Sequence, residues 1–175
     1  MIHRVLTLIL LLALQLAASQ YNSTVIELEA KLFPKMLLLS ENIDKHSRAL
    51  EIVIIAKESA NYSAKLFKKT IEKNYAKEVM NRELKVSIKE FADISKNPDG
   101  VITLYHSDTE IIQIATWANK NKIPSFCYDP ADLEHGILAS LYIGATTKPY
   151  LNKTTINKYN FTFDPYLLKL SKFYN

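Results

Sequence analysis

Apolar residues recur along this chain in two rhythms, one helical and one strand-like. Thr24-Val-Ile-Glu27 has the form of a capping box, and Ile26, Ala30, Phe33 and Leu37 follow at helical spacing. This predicts a helix over 24–39, kinked at Pro34. The polar stretch ENIDKHSR connects it to Leu50 to Ala56, an almost unbroken apolar run rich in β-branched residues. Such a run reads as a strand buried on both faces. Asn61 is then expected to cap a helix carrying Ala64, Phe67, Ile71 and Tyr75 on one side. In ELKVSIKEF, Leu84, Val86 and Ile88 alternate with Lys85, Ser87 and Lys89. That is a strand with one wet face, and its lysines suit a sheet edge.

Asn97-Pro-Asp-Gly100 marks a turn, and Val101 to Tyr105 is a second apolar strand. Ser107-Asp-Thr-Glu110 is a capping box for a helix with Ile111, Ile114, Ala115 and Ala118 inward, ending near Asn121. Pro124 precedes a third buried strand, Ser125 to Tyr128. The order β-α-β-β-α-β predicts an α/β fold. The last third changes character. Asp129 to His135 is a polar turn or short helix ending at Gly136. Ile137 to Ile143 and Thr147 to Asn152 form a hairpin bent at Gly144, with Pro149 placing the second strand at an edge or an irregularity. A short helix over Lys153 to Tyr159 follows. Asp164-Pro165 then opens a final helix with Leu167, Leu168, Leu170 and Phe173. The expected architecture is a three-layer sandwich. Its mixed, mostly parallel sheet has about six strands, a C-terminal β-hairpin and flanking helices.

The 175 residues, 48% hydrophobic, suffice for one domain with a real core. The first stretch does not belong to it. His3 and Arg4 precede an apolar run from Val5 to Leu16, and Ala17 and Ser19 are the small residues at −3 and −1 of a cleavage point before Gln20. This is the three-part pattern of a secretory signal peptide over residues 1–19, leaving 20–175 as the mature domain. The run is too short for a spanning anchor, and no cysteine follows it to carry lipid. The single cysteine, Cys127, excludes an intrachain disulfide and a multi-cysteine metal site. An exported chain with an unpaired thiol fits a bacterial periplasm better than a disulfide-rich extracellular setting. Four Asn-x-Ser/Thr sequons, at Asn22, Asn61, Asn152 and Asn160, would be glycosylation sites in a eukaryotic secreted protein.

Charge and glycine usage narrow the chemistry. Lys and Arg number 22 against 18 Asp and Glu, interspersed as in KKTIEKNYAKE. This is solvated surface and not a nucleic-acid footprint. Gly100, Gly136 and Gly144 lie too far apart for a phosphate-cradling glycine loop, and no cofactor is implied.

Ligands of open α/β sheets sit at the carboxyl ends of the strands. Three loops fall there, and they offer Lys57, Glu58 and Ser59, then His106, Ser107 and Asp108, then Tyr128 and Asp129 as a candidate crevice. The plainer reading is that Asn61 and Ser107 cap helices and the charges are solvated. Cys127 with His106 or His135 would make a thiol–imidazole pair, but Cys127 lies inside a strand where a cysteine normally packs. His46, His106 and His135 show no metal-ligand spacing, and Asp129 with Asp132 sits on a turn that favours Asp for capping. Trp117 and the strand tyrosines Tyr105, Tyr128, Tyr142 and Tyr150 read as packing residues. No catalytic or metal-binding residue emerges.

The segment from Ile123 onward is the most individual. It combines an acidic turn from Asp129 to Gly136, a hairpin whose second strand ends in Tyr150-Leu151-Asn152 before a helix, and a closing leucine-pair helix, Leu167-Leu168-Lys169-Leu170. In these features the chain resembles the YfiR-like family of bacterial periplasmic proteins. It departs from the family pattern in having His135 before Gly136 where many members have a glycine pair, and in lacking cysteine pairs. The resemblance implies a non-enzymatic regulator. Such a protein binds the periplasmic part of an inner-membrane diguanylate cyclase, represses it, and thereby controls cyclic di-GMP and biofilm. A histidine kinase is an alternative receptor, and an OmpA-like outer-membrane lipoprotein a possible sequestering partner. A homodimer is also compatible. The competing expectation is a periplasmic small-molecule-binding protein serving a transporter or sensor through the candidate crevice.

Overall fold

A computed structural model describes residues 21–44, 49–76, 78–79, 81–104 and 106–175. The expected signal peptide, His46 and Tyr105 lie outside the described residues. The elements are α1 (Ser23–Leu38), β1 (Ala49–Ala56), α2 (Asn61–Tyr75), β2 (Glu78–Val79), β3 (Arg82–Lys89), β4 (Gly100–Leu104), α3 (Asp108–Lys120), β5 (Ser125–Cys127), β6 (Ala139–Ile143), β7 (Thr147–Asn152), α4 (Lys153–Tyr159), α5 (Pro165–Leu170) and β8 (Lys172–Tyr174). The strands form one sheet in the order β2-β3-β1-β4-β5-β6-β7-β8. Pairs from β3 through β6 are parallel, β2–β3 and β6–β7 are antiparallel, and β8 joins β7 in parallel.

Strand β1 shows why the sheet carries helices on both faces. Leu50, Ile52 and Ile54 pack into the core shared with α1 and α2. Val53 and Ile55 point the other way, onto Ile114 and Ala118 of α3. A strand whose alternate side chains enter two separate cores must be apolar wherever it is enclosed, as Ile52 to Ala56 are, while the half-buried Glu51 sits near its start. In the first core Phe33 stacks between Phe126 at 4.9 Å and Phe67 at 6.1 Å, joining α1, α2 and β5.

The joint between β5 and β6 has a single backbone register pair, Phe126 with Ala139. Buried side chains complete it. Ser125 Oγ accepts from Leu138 N (3.1 Å), and Ser140 Oγ donates to the Cys127 carbonyl (2.9 Å). Beyond it, the acidic segment forms a 3₁₀ turn, Pro130–His135, closed by Gly136 in the left-handed region at φ 96°.

Several local expectations change. The α1 cap is Asn22 and not Thr24: Asn22 Oδ1 accepts from Thr24 N at 2.9 Å. The helix continues past Pro34 to Leu38. Asn61 does not cap α2, because a 3₁₀ turn over Glu58–Ala60 runs straight into the helix and makes Asn61 its first residue. The sheet gains β2 and β8. Strand β8 arises because Ser171 turns extended after α5 (ψ 152°), so Phe173 lies on a strand and not on the helix. Strand β7 is therefore flanked by β8 along Tyr150–Asn152, and Pro149 falls just outside that pairing, facing Leu141 of β6. Gly100 opens β4 and does more than turn the chain: a Cβ there would come within 2.8 Å of Leu37 Cδ2.

Candidate functional site

The order β3-β1-β4-β5 places a topological switch point between β1 and β4, where connections leave in opposite directions. The protein fills much of that gap with its own groups. His106 Nε2 bonds the Ile55 carbonyl at 3.2 Å, linking the end of β4 to β1. Lys57, leaving β1, pairs with Glu110 of α3 at 2.7 Å. The Ser107 amide and hydroxyl both donate to the other oxygen of Glu110, at 3.0 and 2.8 Å. These bonds, Lys57 first, pull the Glu110 carboxyl down to about 2. Ser107 thus caps α3 as the plainer reading expected, whereas Lys57 is paired with Glu110 and Asn61 is no cap. Glu58 and Ser59 are exposed beside them, and Glu58 accepts from the Asn61 amide at 3.4 Å.

The open cleft lies one strand further along, at the ends of β4 and β5. Its volume is about 280 Å³, and its walls include Thr103, His106, Asp108, Tyr128, Asp129 and Asp132. Of the eight candidate residues, the structure brings His106, Asp108, Tyr128 and Asp129 together here, and it leaves Lys57, Glu58, Ser59 and Ser107 outside the lining. Sequence reasoning missed Tyr21, Thr103, Asp132, Glu134 and His135. The signal for the last three was present in the acidic turn, which folds back over the cleft as a 3₁₀ turn.

Electrostatically the cleft is acidic. Burial, then the negative charge of Asp129, raises Asp132 to about 6. His135 Nε2 lies 3.5 Å from Asp108 Oδ1 and 3.5 Å from Glu134 Oε1. Burial holds the His106 ring below the usual imidazole value, so it is neutral near pH 7. The N-terminal end of α1 forms one rim: the Asn22 amide donates to the Tyr128 hydroxyl at 2.7 Å, and Tyr21 meets the Tyr128 ring edge-on at 4.4 Å. An acidic, partly enclosed cleft with an aromatic rim favours a cationic or hydrogen-bond-donating group.

Cys127 is fully buried, its thiol donates to the Ala139 carbonyl (3.6 Å), and burial pushes its pKa well up. That is the opposite of an activated nucleophile. Among the described residues no cluster of three potential metal ligands occurs, and no helix is long and apolar enough to cross a membrane. The sequon at Asn152 is closed to a glycan, since that side chain is 3% exposed. Trp117 is half-buried against Phe91, with rings 5.5 Å apart.

No family model matches the chain, and no curated protein does. Solved structures do. A conserved domain protein from Vibrio cholerae O1 biovar El Tor is similar at TM-score 0.55 and 16% identity, over 85% of this chain and 59% of that one. The ABC domain in complex with L-Trp from Streptococcus pneumonia is similar at TM-score 0.53 and 12% identity, over 79% of this chain and 60% of that one. The chain spans about three-fifths of the length of these neighbours, and what they share with it is the α/β fold.

Proposed function

We propose that this chain is a non-enzymatic periplasmic signalling regulator of the YfiR-like kind. It binds the periplasmic part of an inner-membrane receptor, a diguanylate cyclase first of all, and represses it. The observation that carries this reading is the position of Asn152. The three segments behind the resemblance are the acidic turn, the hairpin and the leucine-pair helix. Asn152 ends the hairpin, donates to the Leu133 and Ile137 carbonyls, and accepts from Thr155 N. Leu167 of the leucine pair is buried in the main core, together with Leu151 beside Asn152. The segments therefore act as one structural unit, so their joint appearance in the sequence has a physical reason.

Repression of this type needs a stable surface with different affinity for two partner states. The same unit presents Tyr142, Ile143, Leu170 and Phe173 to solvent. Photo-crosslinkers placed at Ile143 and Phe173 in the native host test the reading. The expected product is an inner-membrane protein bearing a cytoplasmic cyclase or kinase domain. Capture of no such receptor from an envelope that contains one counts against it.

A second reading, a small-molecule-binding protein serving a transporter or sensor, is favoured by the acidic cleft beside the switch point. One of the structural neighbours is described in complex with L-Trp. A single domain of this size would have to close over a ligand by dimerising or by docking on a partner. A thermal-shift screen that finds no stabilising ligand argues against it.

A further inference from the structure

Glu29 lies in the middle of α1 and is 1% exposed. Its Oε2 is fully enclosed and has no hydrogen-bond partner among the described residues. A buried carboxyl oxygen without a donor is costly, and native folds rarely leave one so. Burial, and then the charge of Asp129, holds its pKa well above the usual carboxylate range. Neither Glu29 nor Asp129 is paired with a base among the described residues.

Both residues line a second groove of about 510 Å³, between α1 and the β6–β7 hairpin. Val25, one turn before Glu29, and Leu141 give it apolar walls. Tyr142 and Tyr150 meet edge-to-face at 5.8 Å on the hairpin side. These rings already accept a cation from the protein itself: Lys172 Nζ lies 3.5 Å from the Tyr142 centroid and 5.7 Å from that of Tyr150. Apolar walls, ring faces and an unpartnered buried carboxyl match a single ligand chemistry.

We propose that this groove binds a primary ammonium carried on a short aromatic or aliphatic stem, with Glu29 and Asp129 taking the ammonium and Tyr142 and Tyr150 packing the stem. The ammonium meets the Glu29 carboxyl where that residue lines the groove. Asp129 is already oriented, because its Oδ1 accepts from Ala131 N at 2.9 Å. At a pH where Glu29 is protonated in the free protein, pairing ionises it and binding releases a proton to the buffer. This site does not depend on the membrane partner proposed above, and its test needs only the purified protein.

The test is calorimetric titration with 2-phenylethylamine, beside 2-phenylethanol as an uncharged match of the same length. The amine is expected to bind at one site, with a heat that varies with the ionisation enthalpy of the buffer. The alcohol should bind at least about tenfold more weakly, the scale of one charge-assisted hydrogen bond. Glu29→Gln keeps the side-chain shape and should weaken the amine by a similar factor and abolish the buffer dependence. Asp129→Asn is a surface change that preserves the Oδ1 acceptor, and it should weaken the amine without altering the fold. Absence of amine binding overturns the proposal. So does equal binding of amine and alcohol, or unchanged affinity in both variants.

Discussion

The side-chain amide of Asn152 donates to the carbonyl of Leu133 at 2.6 Å, across 19 residues of sequence. The same amide reaches the Ile137 carbonyl at 3.2 Å, and its oxygen caps α4 through Thr155 N at 2.9 Å. One buried side chain thus satisfies three backbone groups from three segments. Asn152→Ala would leave all three unpaired. The expected loss is about 2–4 kcal/mol of stability, read from urea denaturation. Asn152→Asp should fare no better, since it replaces the donor with a carboxylate aimed at two carbonyls. A loss under about 0.5 kcal/mol for both would show that this tie is dispensable.

Gly100 is required by packing. An added Cβ meets the Leu37 side chain at 2.8 and 3.0 Å, and Leu37 is fully buried. Gly100→Ala should cost about 1–3 kcal/mol through overpacking. In a Leu37→Ala background the same substitution has room, so its cost should largely vanish. A double-mutant cycle measures this coupling directly. Additive effects would place the strain elsewhere.

Cys127 should be chemically silent in the native protein. A thiol reagent is expected to label it only as fast as the domain opens, and at once in denaturant. Rapid stoichiometric labelling of folded protein would reverse the assignment of Cys127 as a packing residue.

Asp132 and Glu110 give opposite pH dependences. Asp132 is raised in the fold to about 6 from 3.8, so the folded state binds its proton more tightly than the unfolded chain does. Its contribution therefore weakens stability as pH rises from about 4 through 6, and the penalty is complete above that. Asp132→Asn should be more stable than the parent at pH 7, by roughly 1 kcal/mol after allowing for solvent screening, and indistinguishable near pH 4. Glu110 is depressed to about 2, so what it contributes is present above pH 4.5 and is lost as pH falls toward 2. Glu110→Gln should therefore flatten the acid limb only. Urea midpoints across pH 3–8 for both variants check the two signs.

Long, regular patterns carried the fold into the sequence. LEIVIIA reads as a strand enclosed on both faces, which holds from Ile52 onward, and Ile111, Ile114, Ala115 and Ala118 mark the buried side of α3. Short elements were not legible. Glu78–Val79 is two residues long, and Lys172–Tyr174 continues a leucine-rich helix with no glycine or proline to end it. Asn22, Ser23 and Thr24 are three adjacent cap formers, and only the geometry selects Asn22. The cleft was half legible for a similar reason. Strand ends can be read from a sequence, which located His106, Asp108, Tyr128 and Asp129. The pairing of Lys57 with Glu110, and the fold-back that delivers Asp132 and His135, depend on tertiary placement. Glu29 was invisible, since a glutamate amid α1 reads as a solvated position until the tertiary fold buries it.

In the proposed function this domain restrains a membrane diguanylate cyclase by binding alone. The most direct measurement is cellular cyclic di-GMP in the native host with the gene deleted, restored, and restored as the Asn152→Ala form. The regulator reading predicts a rise on deletion, return to the parental level on restoration, and failure of the Asn152→Ala form to restore. Unchanged cyclic di-GMP on deletion, in cells where the protein is made, would contradict it.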